Sequence, residues 1–217
     1  LIALFTPRYE ADPQNLDLSK NIVKMMSLTE GCMDNDLFLN AIQTVYTLEP
    51  SASSAYYLYR LYSSRGDVDN AVKYIEEAIN SDESDALTDA GYYYELATFC
   101  IKNGKNAKAY EAAQQVVELN PEMAGKAYML MGTIWGSTIC GGNEIERRAP
   151  YWVAVDYMTK AKNADPSLAE DANNYIRQYA NYYPAASEAF MYDVVDGQSY
   201  TVSCGGMRAV TTVRTQK

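Results

Sequence analysis

The chain reads as an all-α protein of repeated helical hairpins, closed by a small C-terminal β-hairpin. Three observations carry that reading. The stretches "YYLYRLYSSRGDVDNAVKYIEEAINSDES", "YYELATFCIKNGKNAKAYEAAQQVVELNP" and "KAYMLMGTIWGST…PYWVAVDYMTKAKNADP" share one pattern: a tyrosine-rich helix, an alanine at a fixed step into a second helix, and an acidic or Asn-Pro/Asp-Pro close. Apolar residues recur at helical spacing on both sides of each turn. The last segment, "SYTVSCGGMRAVTTVRT", instead alternates β-branched residues about a Gly-Gly pair. Repeats of this size bury their faces against neighbours, which favours a binding surface over a catalytic pocket.

Taken in order, a degenerate repeat at 19–51 has Gly31 at its turn, Pro50 at its end and Phe38 where later repeats carry alanine. In the repeat at 52–85, Ala55, Leu58, Tyr59 and Tyr62 fall at i, i+3, i+4 and i+7 and form one stripe. Gly66 turns the chain, and Ala71, Tyr74, Ile75, Ala78 and Ile79 face inward on the second helix. The repeat at 90–123 carries Tyr93, Leu96, Ala97 and Cys100, a turn at Gly104, then Ala109, Ala113, Val116 and Pro121. The repeat at 125–166 carries Ala127, Met131, Gly132 and Trp135, then Ala154, Met158, Ala161 and Pro166. Its two helices are expected to be joined by a long 138–149 loop, with Pro150 at the first position of the second helix.

A helix from Leu168 to Tyr182, with Ala172, Tyr175, Ile176 and Tyr179 inward, caps the stack and completes a helical domain at 1–184. Residues 185–217 then hold a short helix from Ser187 through Val194, stopped by Gly197, and the hairpin. Two strands alone are marginal in water, so the hairpin must dock. The 138–149 loop, with its matching "CGG", is the expected partner.

The small, large and proline steps, Leu58, Ala71 and Ala78, then Leu96, Ala109 and Pro121, then Ala154, Ala161 and Pro166, resemble the tetratricopeptide repeat over residues 52–166. Ala71 and Ala109 lie 38 positions apart and Ala109 and Ala154 lie 45 apart, against roughly 34 for the plain repeat. The excess fits in the "SDESDALT" link and in "STICGGNEIERRAP". The segments "NEIERRAPYWVAVDYM" and "DGQSYTVSCGG" also resemble bacterial cell-envelope proteins that join divergent repeats to a terminal strand. That resemblance implies export to the periplasm or cell envelope, with the cytoplasm as the alternative, and no known enzyme activity. An α-α superhelix (a solenoid) with a concave groove is the fold it implies.

Lys and Arg total 18 against 28 Asp and Glu, a net charge of −10, which disfavours nucleic acid and anionic lipid as partners. The absence of histidine removes the commonest general base and transition-metal ligand, and neither a cofactor nor a metal is expected. The run at 81–85 lacks the alternating ligands and glycine of a calcium loop and reads as an acidic turn before a helix. No apolar run approaches the roughly 20 residues of a membrane span. "LIALF" is too short for a signal-peptide core, and a start at Leu1 reads as trimmed.

The cysteines, Cys32, Cys100, Cys140 and Cys204, show no C-x-x-C spacing. Cys100 falls at a packing step. Cys140 and Cys204 each open a "CGG", and two readings stay open: a disulfide, implying an oxidising compartment, or two thiols in glycine turns.

In the tetratricopeptide architecture the first helix of each pair lines the groove. The steps one and five residues past the start of the stripe then face the ligand, here Tyr56 and Arg60, Tyr94 and Thr98, and Met129 and Thr133. Tyr and Arg join large contact area to a polar tip. The Lys and Asn set that grips a peptide carboxylate in many members of the superfamily is missing from these steps, so an extended peptide held by aromatic contact and one arginine is expected. Two alternatives remain: a structural or self-associating subunit joined through the hairpin edge, and, remotely, an enzyme using Glu144, Glu146 and Cys140. For Glu144, Glu146, Arg147 and Arg148 the favoured role is to anchor the tail.

Overall fold

The computed structural model describes residues 1–216, which fall into two compact units, Leu1–Thr88 and the chain from Asp89 onward. In the N-terminal unit, α1 (Ile2–Ala11), α2 (Leu16–Ser27), α3 (Asp36–Leu48), α4 (Ala52–Ser64) and α5 (Val68–Ile79) follow one another. Polar side chains start most of these helices. Asn15, Asn35, Ser51 and Asp67 accept from the backbone N–H three residues on, in α2, α3, α4 and α5 respectively. Such a cap contributes about 1 kcal/mol. Gly31 and Gly66 hold φ of +76° and +72° at the two turns, where a Cβ would strain the backbone.

The core of this unit is formed by Ile22, Met26, Phe38, Ala41, Ile42, Leu58 and Leu61. Phe38 is fully buried, so the degenerate repeat folds as a helix pair without alanine at that step. The helix α1, not anticipated from sequence, adds Phe5 to the core and sets the Tyr9 hydroxyl 3.0 Å from the Asn40 carbonyl. Ala71 and Ala78 are fully buried on α5. Around them Tyr74 stacks on Tyr62 at 5.5 Å and meets Tyr46 edge-on at 5.4 Å. Tyr46 donates to Glu77, and that bond, with burial behind it, pushes the phenol up to about 12.

The helix α6 (Ala86–Lys102) leads into the C-terminal unit, followed by α7 (Asn106–Leu119), α8 (Ala124–Ser137), α9 (Glu144–Ala164), α10 (Ala169–Ala180) and α11 (Ala186–Phe190). The Asn-Pro and Asp-Pro closes have a local cause. Asn120 and Asp165 cap short 3-10 turns at Pro121–Met123 and Pro166–Leu168, accepting from the N–H of Glu122 and Ser167. Proline loses nothing at those first positions, where its missing N–H has no partner to find.

Close packing of α8 rests on glycine. A Cβ at Gly132 would lie 2.7 Å from Met158 Cε and 3.1 Å from the Ala154 carbonyl, and one at Gly125 2.6 Å from Asp165 Cβ. One at Gly136 would run into the ring of Tyr179, which is buried on α10.

The long loop is shorter than expected. Asn143 accepts from the N–H groups of Ile145 and Glu146, while the Glu146 carboxylate accepts from Asn143 N–H at 2.7 Å. This capping box starts α9 at Glu144. Pro150 therefore stands inside the helix, not at its first position. There it is buried and withholds one N–H from the ladder.

The hairpin consists of β1 (Ser199–Cys204) and β2 (Met207–Thr212), paired antiparallel with Cys204 opposite Met207. Cys204 thus ends a strand and does not sit in the turn. Gly205 and Gly206 both have positive φ, +59° and +79°, as a two-residue type I′ turn requires. Val202, Met207 and Thr211 are buried on the inner face, while Thr201, Ser203, Arg208 and Val210 are exposed on the outer one. The short helix before the hairpin stops at Phe190, earlier than the sequence suggested, and Asp193 takes a positive φ of +56° in the turn that follows.

The tail docks on α9. Trp152 Nε1 donates to the Arg214 carbonyl at 2.8 Å, and its ring meets Tyr200 edge-on at 5.5 Å. Asp156 pairs with Arg214 and accepts from Thr211 Oγ1 at 2.5 Å, and Arg148 pairs with Glu188 at 3.2 Å. A disulfide joins Cys140 to Cys204 across a Cα separation of 5.7 Å.

Two outcomes follow. Gly136→Ala should destabilise the C-terminal unit by about 1–3 kcal/mol through overpacking. Gly91→Ala, where a Cβ meets open space on α6, should stabilise by up to about 1 kcal/mol. Calorimetry reads both, and equal shifts would contradict the packing described. Burial also pushes the phenols of Tyr179 and Tyr183 up to about 12. A phenol ionises near 10 when unfolded, so each contributes stability that is complete below about pH 10 and is lost as pH rises through about 12. Absorbance at alkaline pH should show a late tyrosine step coincident with loss of helical circular dichroism.

Candidate binding surface

Tyr56 and Arg60 stand one turn apart on α4. The Tyr56 ring is half-buried, 5.8 Å from that of Tyr59 and 6.5 Å from that of Tyr57. Arg60 is exposed and forms no ion pair among the described residues, so its guanidinium donors are not committed to a carboxylate. Arg65, just past the end of the same helix, is engaged by contrast: it bonds Asp34 at 3.0 Å and Asp36 at 3.4 Å.

On α6, half-buried Thr98 donates its hydroxyl to the Tyr94 carbonyl at 2.9 Å. On α8, Thr133 does the same to Met129 at 2.9 Å. Each threonine has thus committed its proton to the turn behind it and offers outward a methyl and an acceptor. The structure brings Tyr56 together with Arg60, Tyr94 with Thr98, and Met129 with Thr133.

Sequence reasoning missed a second aromatic group in the C-terminal unit. Tyr110 and Tyr157 share a 2.6 Å hydroxyl contact, Tyr128 lies 6.1 Å from Tyr157, and Lys160 Nζ sits 4.9 Å above the Tyr157 ring. Burial, reinforced by Tyr110, raises the Tyr157 phenol far above its ordinary value. The spacing of Tyr157 and Lys160 on one helix was legible. Their meeting with Tyr128 depends on how α8 and α9 pair, which no local signal gives.

A cleft of about 420 Å³ opens beside β1, walled by Ile139–Gly142 and floored by Glu146 and Ala149 of α9. A second, apolar cleft of about 310 Å³ lies in the N-terminal unit between Lys20, Val23, Leu28, Ile42, Val45 and Tyr57. The groups invoked for catalysis are engaged otherwise. Cys140 is in the disulfide, Glu146 caps α9, and Glu144 pairs with Arg148 and Arg147, which hold its carboxyl below the usual range.

The acidic run at 81–85 serves helix starts: Asp85 accepts from Thr88 N–H at 2.8 Å and Glu83 from Ala52 N–H at 3.0 Å. Among the described residues no cluster of three or more Cys, Asp or Glu is arranged to hold a metal ion, and no helix is long and apolar enough to cross a membrane.

A tetratricopeptide repeat family profile matches residues 60–85 and 90–123. No curated protein matches the chain. Among solved structures it is similar to a crystal structure of MamA, with a TM-score of 0.57 and 20% identity over 78% of this chain and 89% of that one. A second MamA structure aligns with a TM-score of 0.57 and 22% identity, over 78% of this chain and 83% of that one. YrrB, described as a TPR protein with an unusual peptide-binding site, aligns at a TM-score of 0.47 and 16% identity over 87% and 97%. The chain therefore carries tetratricopeptide repeats at residues 60–85 and 90–123, within a mostly helical fold similar to that of MamA and with a C-terminal β-hairpin.

Proposed function

We propose that this chain is a non-catalytic scaffold that holds an extended protein or peptide segment on the first helices of its repeats. The observation that carries the reading is Arg60, exposed and with no ion pair among the described residues, one turn from the half-buried ring of Tyr56. A guanidinium beside an aromatic face matches a peptide carbonyl or carboxylate flanked by apolar side chains. Tyr94, Thr98, Met129 and Thr133 supply further contact area, with the threonines accepting from peptide N–H groups. Binding of this kind involves no covalent step and no cofactor. Nucleic acid is disfavoured as a partner by the net charge of −10.

Export to the periplasm or cell envelope belongs to the same reading, supported by the disulfide at Cys140 and Cys204. Thiol trapping in intact cells should leave these two cysteines unlabelled until reductant is added. Labelling without reductant would move the protein to a reducing compartment.

The groove reading is tested by affinity capture from native lysate with the parent chain and a Tyr56→Ala/Arg60→Ala/Tyr94→Ala variant, both checked for helical content. Truncation of each central contact should cost about 1 kcal/mol or more, so the variant should lose a partner that the parent retains. Identical captured sets would place the interaction elsewhere on the chain.

A further inference from the structure

The cleft beside β1 holds a strand edge that nothing among the described residues completes. Because Cys204 and Met207 flank a two-residue turn, they form a hydrogen-bonded pair, and so do the alternate positions Val202 and Tyr200. The N–H and C=O groups of Ser199, Thr201 and Ser203 therefore point away from β2. They have no hydrogen-bond partner among the described residues. Residues 200–205 line the cleft along this edge, opposite the wall formed by Ile139–Gly142.

β1 also lacks the devices that usually blunt an edge. Its sequence, SYTVSC, contains no charge, no proline and no bulge. Residues 139–142 line the same opening, so the unpaired edge faces a cleft of about 420 Å³. Among the residues lining it, Glu146 is the one with a charge, and one oxygen of its carboxylate is committed to Asn143 N–H.

We infer that this cleft is a β-augmentation site: an extended peptide segment of about five residues, carrying a basic side chain, adds as a third strand along β1. Its main chain pairs with Ser199, Thr201 and Ser203. Its side chains alternate between solvent and the floor, where Lys or Arg meets Glu146. None of the residues proposed for the first-helix faces lines this cleft.

The probe is acetyl-Thr-Val-Lys-Val-Thr-amide, titrated into the intact, oxidised chain with amide exchange followed by NMR. Exchange at the N–H groups of Thr201 and Ser203 should slow by about tenfold or more at saturation, with the β2 amides unchanged. Replacing the central Lys of the probe by Glu should weaken binding about fivefold or more. Thr201→Pro removes an outward donor without touching the β1–β2 ladder; it should abolish the response while β1–β2 cross-strand contacts persist. The parent-chain exchange decides the matter even if that variant fails to fold.

Peptide-induced changes confined to α4, α6 or α8 would overturn the assignment, as would no protection at Thr201 and Ser203. Concentration-dependent protection without peptide, with a dimer by light scattering, would likewise overturn it in favour of a second copy of this chain at the edge.

Discussion

Paired helices in this chain approach closely because the side chains between them are too small to hold them apart. In the N-terminal unit the buried Ala71 and Ala78 have this role on α5. In the C-terminal unit glycine takes it over, at Gly125, Gly132 and Gly136, where even one methyl meets the neighbouring helix or the ring of Tyr179. Repeated hairpins have no central core to fall back on, so each must bury its faces on the next. Aromatic rings then fill what the small residues leave. Tyrosine suits the work because its ring packs while its hydroxyl still reaches a partner, as Tyr46 reaches Glu77 and Tyr110 reaches Tyr157.

The helical pairs were legible in the sequence because their signals are local. Spacing placed Leu58, Ala71, Leu96 and Ala109 on buried faces, and the Gly-Gly pair gave the hairpin its turn. The start of α9 was misread because two local signals disagreed. A proline commonly opens a helix, whereas the Asn143 and Glu146 capping box opens this one earlier and carries Pro150 into its interior. The helix α1 carries no readable period because it sends only Phe5 and Tyr9 to the core. The candidate contact residues were nameable from repeat position alone. That both threonines have already spent their protons depends on rotamers, which sequence does not state.

Several polar groups are committed to structure: Asp85 and Glu146 start helices, Glu144 pairs with arginines, and the sulfurs of Cys140 and Cys204 bind each other. Arg60, by contrast, is exposed with no ion pair among the described residues, and the outward backbone groups of Ser199, Thr201 and Ser203 have no partner among them either.

The docking of the tail has a consequence for how the C-terminal unit comes apart. Trp152, midway along α9, is fully buried, yet the carbonyl that satisfies its indole belongs to Arg214, 62 positions further on. Detaching the tail strands that indole N–H without an acceptor and uncovers the ring together, so hairpin and helix lose their order as one cooperative step rather than in sequence.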